Sequence, residues 1–426
     1  MSPSVSSAVI AALALFHNTL ALPASSPSEG DLTTPLHVPV TSIATTGEEW
    51  SVKQTRDTQS GSSGPKALAS IYRRFDAQMP DNLEAAVSRL EKRTKYYTSL
   101  WSDSDDVFLV WATIGTYDGS FKLIFDTTSA GVWLLSKKTG WSHRQKGYTP
   151  DRSHTAMKME GYSWSARDLA GNKASGAVYQ DDVTFDSIYR VLTSEKQAIQ
   201  VVDTISKFDY HDDVSGILGM AFSSRNPVKP QRQLNFFDSV MEKLDEKIFT
   251  VDMIQFCIGA LDFGVIDNKK YTGDIGYADV LNDKGLWNFT IGGLTSDTTP
   301  SNDGTEYVIA DTVSPMVMLP VQYNTAYYKQ IPGSEYSDKH AGYVFPCDGT
   351  IPEFTFEIGG VQIAVPGDYM KHSVLEDEPH LCYGALQPSE GLGFNILGTI
   401  AFKSAFVVFD PVSPKIGWAK KPMTEL

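Results

Sequence analysis

Short apolar segments separated by turn-forming residues dominate the chain from Val107 onward. Alternating or continuous apolar runs such as VFLVWATIG, FKLIFDT, FVVFD and KIGWA are bounded by Gly, Asn, Asp and Pro, which is the pattern of β-strands joined by turns. Stretches with helical spacing are few, and the clearest runs from Gln233 to Leu244. The pattern therefore predicts a mostly β protein.

The first 93 residues follow a different pattern. An apolar run at residues 8–16 precedes small residues that end at Ala21, which predicts a secretory signal peptide over residues 1–21. Residues 22 to 64 are rich in Ser, Thr, Pro and Gly, and two helical stretches follow, the second starting after Pro80. That stretch ends in Lys92-Arg93, a dibasic pair of the kind that secretory processing proteases cut. We therefore predict a propeptide over residues 22–93, and with it a zymogen.

Composition narrows the function classes. The 426 residues include 36 Lys+Arg, 51 Asp+Glu and 42% hydrophobic residues, with a net charge of −15. This apolar content excludes general disorder, and the length is typical of two domains. Because phosphate binding needs a basic surface, the acidic charge excludes a nucleic acid partner. No apolar run after Phe16 approaches the ~20 residues that a membrane span requires, so no membrane partner is expected either.

The chain contains an internal repeat. IFDTTSAGVWLL holds Asp126 and IADTVSPMVMLP holds Asp311, and both follow the pattern apolar-x-Asp-Thr-β-branched-Ser. An Ile-Leu-Gly triplet follows each motif, with its Gly 93 positions after Asp126 and 87 positions after Asp311. Two similar halves, each with an Asp at a strand end, predict a pseudo-twofold arrangement in which the carboxylates face each other.

These motifs resemble the pepsin-like aspartic protease family (peptidase A1), secreted fungal type. The resemblance extends from Gly64 to Leu426 and includes GPKALASIYRRF, GILGMAF, LDFGVID, KYTG, YVFPCDG, NILG and VVFD. It implies a mostly β, bilobal pepsin-like acid protease fold, with two pseudo-twofold-related β-barrel-like lobes and a central cleft. On this basis we place an N-terminal lobe with its flap at residues 94–255 and a C-terminal lobe at residues 256–426.

The resemblance also implies the chemistry. Two Asp carboxyls about 3 Å apart share one proton, so that one acts as base on a water and the other as acid on the carbonyl. Asp126 and Asp311 are the matching residues, and the basic Arg73-Arg74 is expected to pair with them before processing. The family pattern assigns threonines that hydrogen-bond across the axis, hydroxyls beside the dyad and a Trp behind the first Asp: Thr127, Thr312, Ser129, Ser314 and Trp133.

The chain departs from the family pattern at three positions. Both glycines that follow Asp-Thr in the family are replaced, by Thr128 and Val313. A β-branched residue adds bulk and stiffens the backbone, so we expect a reshaped loop or a displaced water. The Tyr of the flap becomes Asp168, which adds a carboxylate that favours protonation of the dyad or is an exposed acid on a loop. Both interpretations of Asp168 stay open.

A few further residues carry predictions. The family pattern pairs Cys347 with Cys382 in a disulfide, across 35 positions, and leaves Cys257 as a buried free thiol. Asn288 starts the sole N-x-[ST] sequon after residue 93, which predicts glycosylation. No pattern indicates a metal or a cofactor, and none is expected.

Three functions follow. The first is a secreted, monomeric aspartic endopeptidase that hydrolyses peptide or protein substrates. The second is a pepsin-fold protein that has lost proteolysis and binds or transforms a small molecule, for example in secondary metabolism. It is motivated by the three changed positions at the chemical centre. The third is an inactive module that uses the cleft as a peptide groove. We favour the first on the family resemblance.

Overall fold

The computed structural model describes residues 50–53, 55–56, 63–93, 107–116, 120–139, 146–167, 171, 173–186, 191–206, 214–254, 259–281, 284–294 and 305–422. The predicted signal peptide, Asp168 and Cys257 lie outside these residues. No helix in these ranges is long and apolar enough to cross a membrane.

The described residues form five α-helices and 26 strands, interrupted by short 3-10 turns. The helices are α1 Gly64–Arg74, α2 Asp81–Arg93, α3 Phe236–Val240, α4 Val321–Tyr328 and α5 Thr399–Lys403. The first ten strands are β1 Trp50–Lys53, β2 Thr55–Arg56, β3 Phe108–Ile114, β4 Phe121–Asp126, β5 Val132–Leu135, β6 Met157–Arg167, β7 Lys173–Asp186, β8 Val191–Val202, β9 Thr204–Ile205 and β10 Gly216–Gly219.

The remaining strands lie between residues 249 and 420. They are β11 Phe249–Asp252, β12 Ala260–Phe263, β13 Thr272–Asp279, β14 Asn288–Ile291, β15 Glu306–Ala310, β16 Val317–Leu319, β17 Glu335–Ser337, β18 Gly342–Pro346, β19 Phe354–Ile358, β20 Val361–Val365, β21 Lys371–Val374, β22 Leu381–Gly384, β23 Leu386–Pro388, β24 Asn395–Leu397, β25 Ala405–Asp410 and β26 Lys415–Lys420.

Two lobes and a connecting sheet account for these strands. In the first lobe a nine-stranded sheet closes into a barrel, because β3 pairs with both β4 and β7. The second lobe contains sheets of five (β14-β15-β24-β16-β23), four and two strands. A six-stranded sheet, β1-β12-β11-β25-β26-β13, combines β1 with three strands from the middle of the chain and the last two strands. The predicted mostly β, bilobal fold is confirmed.

The internal repeat corresponds to two equivalent strand arrangements. In the first half β10 pairs in parallel with β4 and antiparallel with β5, and Gly219 lies opposite Asp126. In the second half β24 pairs in parallel with β15 and antiparallel with β16, and Leu397 lies opposite Ala310. Each Ile-Leu-Gly triplet therefore lies beside the strand that leads into an aspartate, and the two halves are equivalent in this respect.

A continuous apolar core extends through both lobes and supports the cleft from below. Phe249 stacks on Phe409 with ring centroids 4.6 Å apart, and Trp287 packs edge-on against Phe409 at 4.8 Å. Trp287 also donates its indole N–H to the carbonyl of Met220 at 2.9 Å. Each fully buried aromatic or aliphatic side chain of this kind stabilises the fold by about 1.5–3 kcal/mol.

Helices α1 and α2 pack on the second lobe through a separate apolar cluster. Pro65 lies in the first turn of α1, where a missing N–H costs nothing. Leu68, Ile71 and Tyr72 follow at helical spacing and are buried, at 4% exposure or less. Their cluster includes Met316, five residues after Asp311. Burial of this face fixes the C-terminal end of α1 close to the aspartates.

The end of α1 has the hydrogen bonds of a Schellman motif. Ala77 donates its N–H to the Tyr72 carbonyl at 2.9 Å, and Asp76 donates to the Arg73 carbonyl at 3.1 Å. This motif needs a left-handed residue after the last turn, and Asp76 takes that conformation with φ 55°. The chain therefore turns sharply after Arg74, whose side chain lies at the turn.

The structure differs from the sequence prediction in two elements. The helix expected from Gln233 to Leu244 is shorter, with α3 at Phe236–Val240 followed by a 3-10 turn. Residues 22 to 64 have no sustained periodicity that predicts an element, yet β1 pairs with β12 and β2 pairs with β3. These strands satisfy backbone groups at the edges of preformed sheets, which apolar periodicity does not reveal.

Candidate active site

Two buried aspartates lie at the ends of equivalent strands. Asp126 is the last residue of β4, whose six residues are all buried, and Asp311 directly follows β15. Asp126 is 1% exposed and Asp311 is fully buried. Burying a carboxylate is costly unless it is hydrogen-bonded or paired, so their partners decide what the site can do.

Glycines of the Ile-Leu-Gly triplets make room for the two aspartate loops. A Cβ on Gly219 would lie 2.6 Å from the Ser129 carbonyl oxygen, and one on Gly398 would lie 2.2 Å from that of Ser314. Both distances are too short for any side chain. Glycine is thus required at both positions, since the aspartate loop of each half passes directly over them.

Two threonines connect the halves, as the family pattern implied. Thr127 donates its N–H to Thr312 Oγ1 at 3.0 Å, and Thr312 donates its N–H to Thr127 Oγ1 at 3.1 Å. Each hydroxyl donates to a carbonyl of the opposite half, Thr127 to Ala310 at 2.8 Å and Thr312 to Phe125 at 2.9 Å. These four bonds lie in the buried interior and hold the loops in a fixed relation.

In the first half, and leaving aside the predicted propeptide, all described hydrogen-bond donors to the Asp126 carboxylate belong to Thr128. Its backbone N–H and its hydroxyl each reach Asp126 Oδ1 at 2.8 Å. Ser129, which the family pattern placed beside the dyad, has a buried hydroxyl with no hydrogen-bond partner among the described residues. The hydroxyl that supports Asp126 therefore comes from the residue that replaces glycine.

In the second half a serine hydroxyl and two backbone N–H groups support the aspartate. Asp311 Oδ1 accepts from the N–H groups of Val313 at 3.0 Å and Ser314 at 3.2 Å. The Ser314 hydroxyl donates to Asp311 Oδ2 at 2.5 Å. Val313 turns its side chain into the buried apolar cluster that contains Trp133 and Trp164. Both replaced positions still donate their N–H groups to the aspartates, so the expected reshaping of the loops does not remove these bonds.

A guanidinium from the predicted propeptide bridges the two aspartates. Arg74 Nη1 lies 2.9 Å from Asp311 Oδ1 and 3.1 Å from Oδ2, and Arg74 Nη2 lies 2.6 Å from Asp126 Oδ1. Arg74 Nη2 also donates to the Thr128 hydroxyl. Because both nitrogens belong to one rigid planar group, the carboxylates that they reach face each other. Of the two predicted arginines, Arg74 is the one that contacts the dyad.

A cavity of about 380 Å³ opens beside Asp126. Its walls include Trp133 and Trp164, whose rings are 5.9 Å apart. Arg225 also lines it and donates Nε–H to the Thr128 carbonyl at 2.8 Å. Desolvation lowers the pKa of the Arg225 guanidinium, an effect that Asp126 opposes and Arg74 reinforces. Sequence reasoning missed Arg225, because 97 positions separate it from Thr128.

The base of the predicted flap, the hairpin of residues 161–185 formed by β6 and β7, also lines this cavity. Trp164 is fixed there by an indole N–H bond to the Val201 carbonyl at 3.1 Å. Arg167, the last residue of β6, donates to the Gly171 carbonyl at 3.1 Å and pairs with Asp76 at 2.6 Å. A Cβ on Gly171 would lie 2.5 Å from the Arg73 Cβ, so the flap packs tightly against the end of α1. The described part of the flap therefore contacts the predicted propeptide.

The other predicted residues make no described contact with the dyad. Cys347 and Cys382 form a disulfide with Cα atoms 5.0 Å apart, as predicted. Asn288 is half-buried at the start of β14, where glycosylation stays a prediction. Lys92 and Arg93 are the last residues of α2.

In the described part of the chain, one group of side chains has the proximity of metal ligands. Atoms of His340, Asp377 and Glu378 lie within 4.8 Å of one another. The Lys339 ammonium, however, pairs with Asp377 Oδ2 at 2.9 Å and with Glu378. A cation is thus already present between the two carboxylates, which disfavours a metal at this group.

Comparisons with known proteins agree with this geometry. A family model described as eukaryotic aspartyl protease matches residues 108–421. The chain is 36% identical over 388 residues to endothiapepsin from Cryphonectria parasitica, which covers 88% of this chain and 90% of the relative. It is also 36% identical to aspergillopepsin-1 from Aspergillus fumigatus, over 83% of this chain and 87% of the relative.

A solved structure, the aspartic proteinase from Irpex lacteus, matches the fold with a TM-score of 0.60 and 20% identity. The match covers 75% of this chain and 95% of that one.

Proposed function

The chain belongs to the eukaryotic aspartyl protease family, and from this premise we propose that it is a secreted acid endopeptidase whose N-terminal segment keeps it latent. Asp126 and Asp311 would form the catalytic pair. The observation that carries this proposal is the single guanidinium of Arg74, which reaches both carboxylates. A water molecule that occupied the same position would contact both oxygens at once.

The proposed reaction uses one proton shared by the pair. The ionised carboxyl removes a proton from the water, which attacks the peptide carbonyl, while the protonated carboxyl donates to the carbonyl oxygen, and a tetrahedral diol results. The C–N bond then breaks as the first carboxyl gives its proton to the leaving nitrogen and the second takes back a proton from the diol. The bonds from Thr128 to Asp126 and from Ser314 to Asp311 hold the carboxyls in place without side-chain motion. Fixed donors of this kind are favourable because they need no reorganisation during the reaction.

Latency would follow from charge. While Arg74 pairs with both carboxylates, no water or substrate carbonyl can take its position. Protonation of the carboxyls at acid pH weakens the ion pairs, since the attraction requires their negative charge. We further propose that cleavage after Lys92-Arg93 releases the segment, that residues 94–255 and 256–426 form the two lobes, and that the processed protein works outside the cell.

A cleavage assay tests the proposal. The purified full chain is held at pH 7 or acidified to pH 3–5 and incubated with a denatured protein, with and without a transition-state inhibitor directed at paired aspartates. Inhibitor-sensitive cleavage is expected only after acidification, and none from the Asp126→Asn variant. An acidified wild-type chain that lacks inhibitor-sensitive cleavage would contradict the proposal and favour binding or modification of a small molecule.

A further inference from the structure

We propose that the cavity beside Asp126 is a subsite for an acidic side chain of the substrate, held by Arg167 and Arg225. This inference rests on the proposed endopeptidase function, since it concerns what the same cleft selects.

The charges around the cavity carry the first step. Besides residues of the N-terminal segment, the described charged residues that line it are Arg167, Arg225 and Asp126. When the N-terminal segment leaves, Arg74 and Asp76 leave with it, and two guanidinium groups remain beside one carboxyl of the catalytic pair. Trp133 and Trp164 form an apolar wall, while 33% of the Arg167 side chain stays exposed, so an ion pair formed there is partly solvated. Such a site favours a ligand with a short apolar stem and a carboxylate.

The N-terminal segment itself supplies an occupant of this chemistry. Asp76 lines the cavity, and its Oδ1 lies 2.6 Å from Arg167 Nη2. It holds the left-handed position of the turn after α1 with φ 55°, a conformation that glycine would take at less cost. A residue with a side chain at this strained position presents its carboxylate to the flap. The contact is the intramolecular equivalent of the proposed substrate contact.

Both arginines are positioned by bonds to the backbone. Arg225 uses Nε–H on the Thr128 carbonyl at 2.8 Å and Nη1 on the Lys284 carbonyl at 3.4 Å. Arg167 uses Nη1 on the Gly171 carbonyl at 3.1 Å, and its Nη2 binds Asp76. A guanidinium carries five N–H groups in a planar fork that suits carboxylate oxygens. Each arginine therefore keeps N–H groups beyond those used on the backbone.

Matched peptides test the subsite. Pairs that differ only by Glu or Gln, at each position within three residues of the scissile bond, are compared by kcat/KM with the acid-processed protein at pH 5. We expect Glu to be preferred about fivefold at one position, the size of one partly exposed ion pair. The Arg167→Gln, Arg225→Gln double variant is expected to lose that preference, measured as the ratio of kcat/KM for the Glu and Gln peptides, so that a general loss of activity cancels. Arg152→Gln, an exposed arginine outside the cavity, is the control that keeps it.

Equal rates for Glu and Gln at every position, or a preference that survives in the double variant, would overturn the inference and leave the endopeptidase intact. If the protein cleaves no peptide, the endopeptidase proposal fails. The subsite is then tested by binding alone, with fluorescently labelled versions of the same peptides and fluorescence anisotropy as the measurement. Tighter binding of a Glu peptide that is lost in the double variant then supports the subsite, and equal binding of Glu and Gln peptides rejects it.

Discussion

In the loop of residues 126–129 the hydroxyl that reaches the carboxylate comes from Thr128, whereas in the loop of residues 311–314 it comes from Ser314. An N–H is donated to each aspartate from two residues beyond it, and Asp311 accepts a second N–H from Ser314. The hydroxyl has moved by one residue in the first loop, and Ser129 is left without a described partner.

The difference teaches that the two glycine replacements are not alike. Thr128 replaces glycine with a side chain that bonds to Asp126 and accepts from Arg74, so it joins the site. Val313 replaces glycine with a side chain that is buried among apolar residues, while Ser314 supports Asp311. Each half keeps one hydroxyl on its carboxylate. This is why two changes at the chemical centre remain compatible with the proposed catalysis.

The largest effect is expected from breaking the hydrogen bonds between Thr127 and Thr312, which connect the two loops. Thr127→Val removes a hydroxyl of nearly the same size and leaves the Thr312 N–H and the Ala310 carbonyl unpaired. Each buried unpaired group costs about 1–3 kcal/mol, so two of them should lower the free energy of unfolding by about 2–6 kcal/mol. Urea denaturation measures it. Thr312→Val should lower the free energy of unfolding by the same amount within error. A clear difference between the two variants would show that the two threonines do not contribute equally.

A smaller effect is expected from removing the hydroxyl that each half uses. Thr128→Val and Ser314→Ala each delete one hydrogen bond to a carboxylate and keep the backbone N–H donors. Bonds to charged groups contribute about 1.5–3 kcal/mol, so kcat should fall about 10- to 100-fold in each.

The conservative variant Thr128→Ser keeps the hydroxyl and controls for side-chain bulk. It should retain kcat within about threefold of the wild type. If Thr128→Val behaved like the wild type while Ser314→Ala lost activity, the first loop would not depend on its relocated hydroxyl.

The equivalence of the two halves was predictable, because each half carries the same short motifs at similar spacing. The spacing of Asp126 and Asp311 from their Ile-Leu-Gly triplets predicted two equivalent halves, and the strand register bears it out. The glycine of each triplet is required by backbone proximity, at 2.6 Å for Gly219. Requirements of this kind leave a clear mark on a sequence, since only one residue type meets them.

The side-chain contacts across the cleft were not predictable in the same way. The sequence pattern assigned Ser129 to the dyad, and nothing in it distinguishes the Ser129 hydroxyl from that of Thr128. The choice depends on which hydroxyl the folded loop directs at Asp126. Arg225 supports the same loop from a distant segment, so no local pattern reveals the contact. The role of Arg74 was open between two adjacent arginines until the turn after α1 was known.

The smallest effect is expected from Ser129, because its hydroxyl does not make the bond to a carboxylate that the equivalent Ser314 makes. Its hydroxyl is buried and has no described partner, so Ser129→Ala removes a desolvated group and breaks no described bond. The free energy of unfolding should stay the same or rise by up to about 1 kcal/mol, and kcat should stay within about twofold of the wild type. Ser314→Ala, the same change at the equivalent position, is the matched comparison. A loss of activity in Ser129→Ala as large as in Ser314→Ala would mean that Ser129 supports Asp126 during the reaction, and that the asymmetry belongs only to the latent form with Arg74 in place.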